Sequence, residues 1–164
     1  MKEIIRKRYD ESAEFYDSRY NRIQEEKYEI MSQYFPKNWE LALDLGCGTG
    51  LLSKKLDNLI GMDISFGMLE IAKEQGEKVV QAESESLPFK SQVFDVVFSF
   101  TVLQSSNELK KSVDEAKRVL KPNGILILTY LEKKFDLKVI SALRKNFDNI
   151  KQVPCGEDIG LICS

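Results

Sequence analysis

Residues 43–50 of the chain read Leu-Asp-Leu-Gly-Cys-Gly-Thr-Gly, and this stretch decides the fold. Its first half is apolar around one acidic residue, as in a buried strand, and its second half is a glycine-rich turn. A strand that opens through such a turn into a helix, here predicted at about 50–56, binds nucleotides at the carboxyl edge of a parallel sheet. Thr49 is predicted to cap that helix, whose amide dipoles favour a negative group. A tight strand–helix turn without a ligand is the alternative for this loop taken alone.

The remainder of the chain alternates short apolar runs with helical stretches, which is typical of repeated βα units and a mostly parallel sheet. We predict strands at about 41–46, 58–63, 78–82, 93–99 and 124–130. Further helices are predicted at about 66–75, 107–120 and 135–146. The runs IKQVP and IGLICS, separated by CGED, predict a closing antiparallel hairpin, which brings the strands to seven. Residues 1–35 predict two amphipathic helices, broken near Asp17–Asn21 and ended by Pro36.

The composition of the chain limits the classes of protein to which it can belong. The chain has 164 residues, 43% of them hydrophobic and 30% charged, which predicts a single globular domain over residues 1–164. Its 24 basic and 26 acidic residues leave a net charge of -2, which disfavours nucleic acid as the main partner. Histidine is absent, so histidine triads, histidine bases and histidine-containing metal sites are excluded, and we expect no metal.

The cysteines and the N-terminus predict a cytoplasmic location. Three cysteines occur without a C-x-x-C pair, as expected of reduced thiols. The N-terminus is too charged for a signal peptide, and no apolar run approaches about 18 residues, so we expect no contact with a membrane.

An acidic residue follows the next predicted strand, in the sequence Gly61-Met62-Asp63-Ile64. A carboxylate at this position can accept hydrogen bonds from both hydroxyls of an unmodified ribose. The dinucleotide-binding fingerprint needs a glycine at position 51, where this chain has Leu51. A residue at the N-terminus of a helix, ahead of Ser65, is the alternative for Asp63.

These residues and four further blocks resemble the class I S-adenosylmethionine-dependent methyltransferases, in particular their small type 11-like domain. The blocks are GMDIS followed by Met68, AESESLPF at 82–89, FDVVFSFTVLQ at 94–104 and EAKRVLKPNGILIL at 115–128. The resemblance implies a Rossmann-like three-layer α/β sandwich, with a seven-stranded, mostly parallel sheet and a C-terminal antiparallel strand. Residues 40–164 would form this core. The sequence YDESAEFYD at 9–17 looks like the family's lid helix, so residues 1–36 would form a helical lid.

The resemblance also implies S-adenosylmethionine as cofactor and S-adenosylhomocysteine as product. Gly46, Cys47 and Gly48 would lie under the methionine moiety and the ribose. Asp44 would lie near the amino group of the cofactor, and Asp63 would bind the ribose hydroxyls.

For the adenine, the resemblance implies apolar cover by Ile64 and Met68 on the two faces of the ring. Glu83 stands where family members usually carry aspartate, and it would accept a hydrogen bond from the adenine amino group. The amide of Ser84 would donate to the ring. Phe100, just past the fourth strand, would lie near the methionine portion.

The acceptor side has fewer signals. Methyl transfer depends mainly on alignment of the acceptor, and without histidine a base would have to be Asp, Glu, Tyr, Lys or water. Gln104 stands where many relatives carry histidine. The stretch Ser99–Val102 lacks the N/D-P-P-Y/F motif of amino-nitrogen methyltransferases, which disfavours methylation of adenine N6 or glutamine. Thr101, Gln104 and Tyr16 are the candidate acceptor-site residues. Tyr16 is also expected to reach the methionine carboxylate, with half-buried packing as the alternative for Tyr9 and Tyr16.

The identity of the acceptor is open. Only residues 131–146 lie between the fifth strand and the hairpin, so the acceptor side is built from the N-terminal helices and short loops. This predicts an enzyme of class EC 2.1.1.- with a small-molecule acceptor, acting as a monomer or homodimer. A macromolecular acceptor, with a helper protein that completes the site, is one alternative. A cofactor-binding subunit or regulator without activity is a second, and a nicotinamide oxidoreductase is a third that the glycine spacing disfavours.

Overall fold

The computed structural model describes residues 2–164. In the first helix, the side chains of residues 2, 5, 8 and 12–20 lie outside this description. The contacts predicted for Tyr16 therefore fall outside the described residues.

Seven strands form one sheet in the order β3-β2-β1-β4-β5-β7-β6. The parallel strands are β1 (Ala42–Leu45), β2 (Leu59–Asp63), β3 (Val79–Gln81), β4 (Phe94–Phe100) and β5 (Leu120–Leu131). The hairpin β6 (Ile150–Cys155) and β7 (Asp158–Cys163) closes the sheet, with β7 antiparallel to β5. The predicted seven-stranded Rossmann-like sheet is thus confirmed. The strand order reverses between β1 and β4, and ligands bind at such a point in open α/β sheets.

Four helices accompany the sheet: α1 (Lys2–Ser32), α2 (Phe66–Glu74), α3 (Leu109–Val119) and α4 (Leu137–Arg144). Short 3₁₀ turns occur at Leu103–Ser105 and Glu132–Lys134. Side chains cap two of the helices, because Ser65 accepts a hydrogen bond from the Met68 amide and Asp136 accepts from the Lys138 amide. The predictions for α2, α3 and α4 are confirmed. Among the helices of residues 2–164, none has the combined length and apolar composition needed to cross a bilayer.

Two predictions of helices were wrong. The N-terminal segment is one helix rather than two, because residues 2–32 contain no glycine or proline that would break it. Residues 50–55 form successive turns rather than a helix, so Thr49 caps no α-helix there. Gly50 has a φ of +84°, outside the helical region, and the run 51–55 is shorter than two helical turns.

The sheet is buried on both faces, which explains the nearly continuous apolar sequence of β4 and β5. On one face Val113 of α3 and Leu143 of α4 belong to the main apolar core. On the other face Tyr28 and Met31 of α1 belong to a second core, together with Phe98 of β4. The C-terminal part of α1 is therefore a component of the sandwich.

Helix α1 crosses the carboxyl edge of the sheet. Asp10 contacts the beginning of α2, which follows β2, and Lys27 contacts Asp158 at the beginning of β7. These two α1 residues are seventeen positions apart, which corresponds to about 25 Å along a helix. Strands β2 and β7 are four positions apart in the sheet, or about 19 Å. Strands β1 and β4 lie between β2 and β7 in the sheet, and the glycine loop follows β1.

Candidate functional site

The glycine loop is fastened to the end of β2. Gly46 and Gly48 have φ values of +81° and +56°, in the left-handed region that favours glycine. The amides of Gly46 and Cys47 both donate to the Met62 carbonyl oxygen, at 2.6 and 3.0 Å. The Gly48 amide donates to Asp63 Oδ2 at 3.0 Å. The structure thus brings together the loop and the acidic residue that the sequence singled out.

Asp63 is held by backbone amides on both sides. In addition to the bond from Gly48, its Oδ1 accepts from the Ser65 amide at 2.9 Å. Burial raises the pKa of the Asp63 carboxyl, and these amide bonds oppose that increase. Each carboxylate oxygen can accept two hydrogen bonds, so both oxygens keep capacity for a further donor. A pair of neighbouring hydroxyls fits that capacity.

Asp44 lies in β1 with 4% of its surface exposed. Burial, together with the negative charges of Asp63 and Glu77, raises the pKa of Asp44 to about 8. A nearby positive charge would favour the ionised form and reverse this effect. The edge of the sheet at β1 and β2 therefore favours a ligand that carries a positive group beside hydroxyls.

Cys47 contributes to the loop through its backbone. Its Sγ packs against Gly61 of β2, where a Cβ atom would lie only 2.7 Å from the sulfur. Burial and the charge of Asp44 raise the pKa of the thiol, so it stays protonated. The side chain of Cys47 is not a nucleophile in this environment.

The two residues predicted to cover adenine lie at the beginning of α2. Ile64 is half-buried and Met68 is buried. The same turn binds a residue of α1 that the sequence analysis missed. Asp10 Oδ1 accepts hydrogen bonds from Ser65 Oγ at 2.6 Å and from the Gly67 amide at 2.9 Å. The sequence signal was only an acidic residue within YDESAEFYD, and its partners lie more than fifty residues away.

The loop predicted to recognise the adenine edge is tied to α3. Glu83 is exposed and forms an isolated bridge with Ser86. The hydroxyl of Ser84 is 2.9 Å from Ser112 Oγ in α3 and donates to Glu85 Oε2 at 3.1 Å. These bonds involve the hydroxyl of Ser84, whereas the predicted adenine contact uses its amide.

On the acceptor side, Phe100 and Gln104 have well-defined neighbours. The ring of Phe100 packs edge-on against Tyr28 of α1, with centroids 4.8 Å apart. Gln104 Oε1 accepts a hydrogen bond from the Leu131 amide at 2.8 Å, which joins the first 3₁₀ turn to the end of β5. The amide oxygen of Gln104 thus has a structural role.

Thr101 belongs to a buried polar cluster that the sequence analysis also missed. Lys27 Nζ donates to Thr101 Oγ1 at 2.8 Å and lies 2.9 Å from Asp158 Oδ2. Thr101 Oγ1 in turn donates to Asp158 Oδ2 at 2.7 Å. One signal was available, since Lys27 lies four residues before Met31 and therefore on the buried stripe of α1. A charged residue on such a stripe indicates a buried partner.

Residues 43–128, more than half of the chain, match the family model of the methyltransferase domain. The chain belongs to this methyltransferase family. Its structure is similar to that of an S-adenosylmethionine-dependent methyltransferase of Thermotoga maritima. The TM-score is 0.76 at 20% identity, over 90% of this chain and 93% of the other. The class I fold expected from the sequence is thereby confirmed.

Curated relatives extend the similarity in sequence. An uncharacterized protein of Methanocaldococcus jannaschii is 40% identical over 154 residues, covering 90% of this chain and 60% of that protein. The malonyl-[acyl-carrier protein] O-methyltransferase of Legionella pneumophila is 37% identical over 129 residues, covering 68% of this chain and 45% of that enzyme. This chain thus spans about half to three fifths of the length of these two relatives.

The residues of the loop fit the cofactor that this family uses. S-adenosylmethionine carries an ammonium group, a sulfonium and two ribose hydroxyls, which are the groups that Asp44 and Asp63 favour. Gly46 and Gly48 have left-handed φ values, which favour glycine, so neither residue adds a side chain to the loop.

A depression lies at the opposite, amino-terminal edge of the sheet. It has a volume of about 390 Å³, and its lining includes Pro36, Asp95 and Lys121. Asp95 and Lys121 form an ion pair at 2.9 Å, so this depression offers little net charge to a ligand.

Proposed function

We propose that the chain is an S-adenosylmethionine-dependent methyltransferase with a small-molecule acceptor. The observation that carries the proposal is the acidic, glycine-lined edge between β1 and β2. There Asp63 is held by the amides of Gly48 and Ser65, and Asp44 is buried among negative charges. A cationic ligand with two hydroxyls relieves that repulsion and uses the remaining capacity of Asp63.

For the methionine and ribose, we assign the backbone of Gly46, Cys47 and Gly48 to the underside of the ligand. Asp44 is assigned to its ammonium group and Asp63 to its ribose hydroxyls. The support is the left-handed loop, the burial of Asp44 and the amide hydrogen bonds that hold the half-buried Asp63.

For the adenine, we assign Ile64 and Met68 to the ring faces, and Glu83 and the Ser84 amide to the ring edge. Phe100 is assigned to the methionine side. These assignments are supported by the position of the residues at the carboxyl ends of β2, β3 and β4.

The bound cofactor supplies a methyl group made electrophilic by the sulfonium. The role of the protein is to orient the two reactants and to exclude water. Orientation of the reactants provides much of the rate in such transfers. Helix α1, which crosses the edge between Asp10 and Lys27, is suited to exclude water. Thr101 Oγ1 accepts a hydrogen bond from Lys27 Nζ and donates to Asp158, so its hydroxyl is not available as a base without rearrangement.

A small acceptor group is supported by two observations. The segment after β5 holds only one 3₁₀ turn and α4, so the acceptor side has no inserted subdomain. A relative from Campylobacter jejuni, 32% identical over 128 residues, is a ubiquinone/menaquinone biosynthesis C-methyltransferase, which supports a small-molecule acceptor.

A cofactor-binding subunit without activity is the second candidate. It is favoured by the structural hydrogen bonds of both Thr101 and Gln104, the two described candidates for contact with an acceptor.

The test has two stages. Calorimetry with S-adenosylhomocysteine should show binding, and its absence would overturn the proposal. Formation of S-adenosylhomocysteine from S-adenosylmethionine is then followed with cell-extract fractions of small molecules, protein and RNA. Turnover with the small-molecule fraction supports the proposal. Turnover only with protein or RNA indicates a macromolecular acceptor, and binding without turnover in any fraction favours the second candidate.

A further inference from the structure

A buried ion pair joins α1 to the hairpin on the acceptor side. We call Lys27, Thr101, Thr129 and Asp158 the Lys27 cluster. The side chains of Lys27 and Asp158 are 6% and 0% exposed, and their Nζ and Oδ2 atoms are 2.9 Å apart. Thr129 Oγ1 completes the cluster at 3.2 Å from Thr101 Oγ1. Two opposite charges and two hydroxyls are thus enclosed where α1, β4, β5 and β7 meet.

Stability alone does not account for the Lys27 cluster. Removing two charges from water is unfavourable, and well-packed apolar side chains often replace a buried ion pair without loss of stability. Within the described part of the chain, Asp158 Oδ1 has no hydrogen-bond partner, so the pair is not fully satisfied. A cluster built only to stabilise the fold would be expected to satisfy all its buried polar atoms.

The member of the cluster with an unusual backbone is Thr101. Its φ is +62°, in the left-handed region, where a β-branched residue is a rare outlier. Its hydroxyl contacts Lys27, Asp158 and Thr129, and its amide donates to the Thr129 carbonyl oxygen at 3.1 Å. Such strained residues persist only where the surroundings determine them, and they concentrate at functional sites.

The residue after Thr101 contacts the glycine loop. The side chain of Val102 lies so close to Gly46 that a Cβ atom added to the glycine would overlap Val102 Cγ2. The turn at Thr101 therefore determines where Val102 stands against the loop. A continuous path leads from Lys27 through Thr101 and Val102 to Gly46.

We propose that Lys27 and Asp158 are positioning residues that hold Thr101 in its left-handed turn and thereby fix Val102 against the cofactor loop. The inference rests on the proposed function, since the loop that they position is the proposed cofactor loop. The proposal requires no contact between either residue and the cofactor. Their effect on binding passes through the backbone at 101–102.

The test uses an apolar replacement of the ion pair, Lys27→Met with Asp158→Leu, which keeps the interior packed. We expect this variant to fold and to bind S-adenosylhomocysteine about tenfold more weakly, since Thr101 loses two partners of its hydroxyl. Adding Thr101→Gly should restore most of the affinity, because glycine adopts a positive φ without a partner. The matched control is Glu25→Leu with Lys55→Met, which removes an exposed ion pair between α1 and the core and should not change the affinity.

A second readout does not need the cofactor. Amide exchange at 46–48 in the ligand-free protein should become faster in the apolar variant and return toward the wild-type rate when Thr101→Gly is added. If the apolar variant does not fold, the single substitutions Thr101→Val and Thr101→Gly, made with Lys27 and Asp158 unchanged, test the proposal instead. The valine variant, although closer in shape, should bind more weakly than the glycine variant.

The outcomes separate the two proposals. A wild-type protein that does not bind S-adenosylhomocysteine contradicts the proposed function, and the exchange rates at 46–48 still test the positioning role. Wild-type affinity and exchange in the apolar variant would show that the Lys27 cluster only tethers α1. A loss of affinity that Thr101→Gly does not repair would also overturn the inference.

Discussion

Asp44 and Asp63 lie on neighbouring strands at the same edge of the sheet, yet their environments differ. Asp63 accepts hydrogen bonds from the backbone amides of Gly48 and Ser65, which stabilise its ionised form. The pKa of Asp44 is raised to about 8, so a proton occupies it over much of the physiological range. Burial raises the pKa of Asp63 as well, but its amide hydrogen bonds oppose that increase, whereas Asp44 needs the positive charge of a ligand to favour its ionised form.

The substitution Asp63→Ala should weaken binding of S-adenosylmethionine about tenfold or more. Two ribose hydroxyls lose a charged acceptor, and hydrogen bonds to charged groups contribute about 1.5–3 kcal/mol each. Calorimetry measures the affinity, and circular dichroism checks that the variant is folded. Asp57→Ala, at an exposed acidic residue before β2, is the control and should bind as the wild type does. An unchanged affinity in folded Asp63→Ala would remove the ribose assignment.

The substitution Gly48→Val should abolish the thermal shift caused by the cofactor. Gly48 has a φ of +56°, so a branched side chain there is strained, and in the proposed site it would occupy the space of the ligand. Saturating S-adenosylmethionine should raise the melting temperature of the wild type by mass action. Gly76→Val is the matched control, because Gly76 has a φ of +87° with open space around it. Both variants should lose stability from strain, but only Gly76→Val should keep the shift.

At the scale of elements, the two ends of α1 are held in different ways. Near its N-terminus, Asp10 makes two hydrogen bonds to the beginning of α2. Toward its C-terminus, Tyr28 and Met31 are buried in the second core, and Lys27 is paired with Asp158. A helix with a buried end and a polar contact at the other opens more readily at the polar contact, since local opening follows the density of buried apolar contacts. This asymmetry suits a lid.

The lid role predicts a change in amide exchange along α1. Exchange at residues 5–20 should be fast without cofactor and slow when S-adenosylhomocysteine is added, whereas residues 24–31 should be protected in both states. Asp10→Ala should make exchange at 5–20 faster in the ligand-free protein, because the hydrogen bonds to Ser65 and Gly67 are lost. Glu11→Ala, which removes only an exposed pair with Lys7, is the control. Equal protection of residues 5–20 with and without ligand would indicate ordinary packing of α1.

The sequence predicted the elements of the sheet better than it predicted their contacts. The strands and helices α2, α3 and α4 follow local patterns of apolar residues, and these were found close to their predicted positions. The prediction of a helix at about 50–56 was wrong for a local reason, the positive φ of Gly50. A pattern of residue types does not show that φ. The contacts of Asp10 and Lys27 join residues far apart in the chain. Residue spacing alone does not identify such partners.

At the scale of the whole molecule, the charge is nearly balanced, but it is unevenly distributed. The net charge is -2, whereas Asp44, Asp63 and Glu77 act on one another at one end of β1 and β2. Elsewhere, acidic residues such as Asp95 have lysine partners that lower their pKa. The repulsion is thus concentrated at the proposed cofactor loop. Binding of a cation there should affect the stability of the entire fold.

This concentration predicts how stability depends on pH. Asp44 has a folded-state pKa of about 8, against 3.8 for the ordinary carboxyl, so between these values the folded protein holds a proton that the unfolded chain has lost. The free energy of unfolding of the ligand-free protein should therefore fall from pH 5 to pH 8, by up to about 1.4 kcal/mol per pH unit from this residue. Asp63, whose pKa is also raised, acts in the same direction.

A cationic cofactor should reverse this dependence, because it favours the ionised form of Asp44. Binding at pH 7 should release up to about one proton. Calorimetry in two buffers of different ionisation enthalpy measures that release, and urea unfolding at several pH values measures the stability. Asp44→Asn is the decisive variant, since its amide does not titrate. It should show a flatter decline of stability between pH 5 and pH 8 and little proton release. If wild type and Asp44→Asn have the same pH dependence, the proton is not on Asp44, and the ammonium group must be held elsewhere.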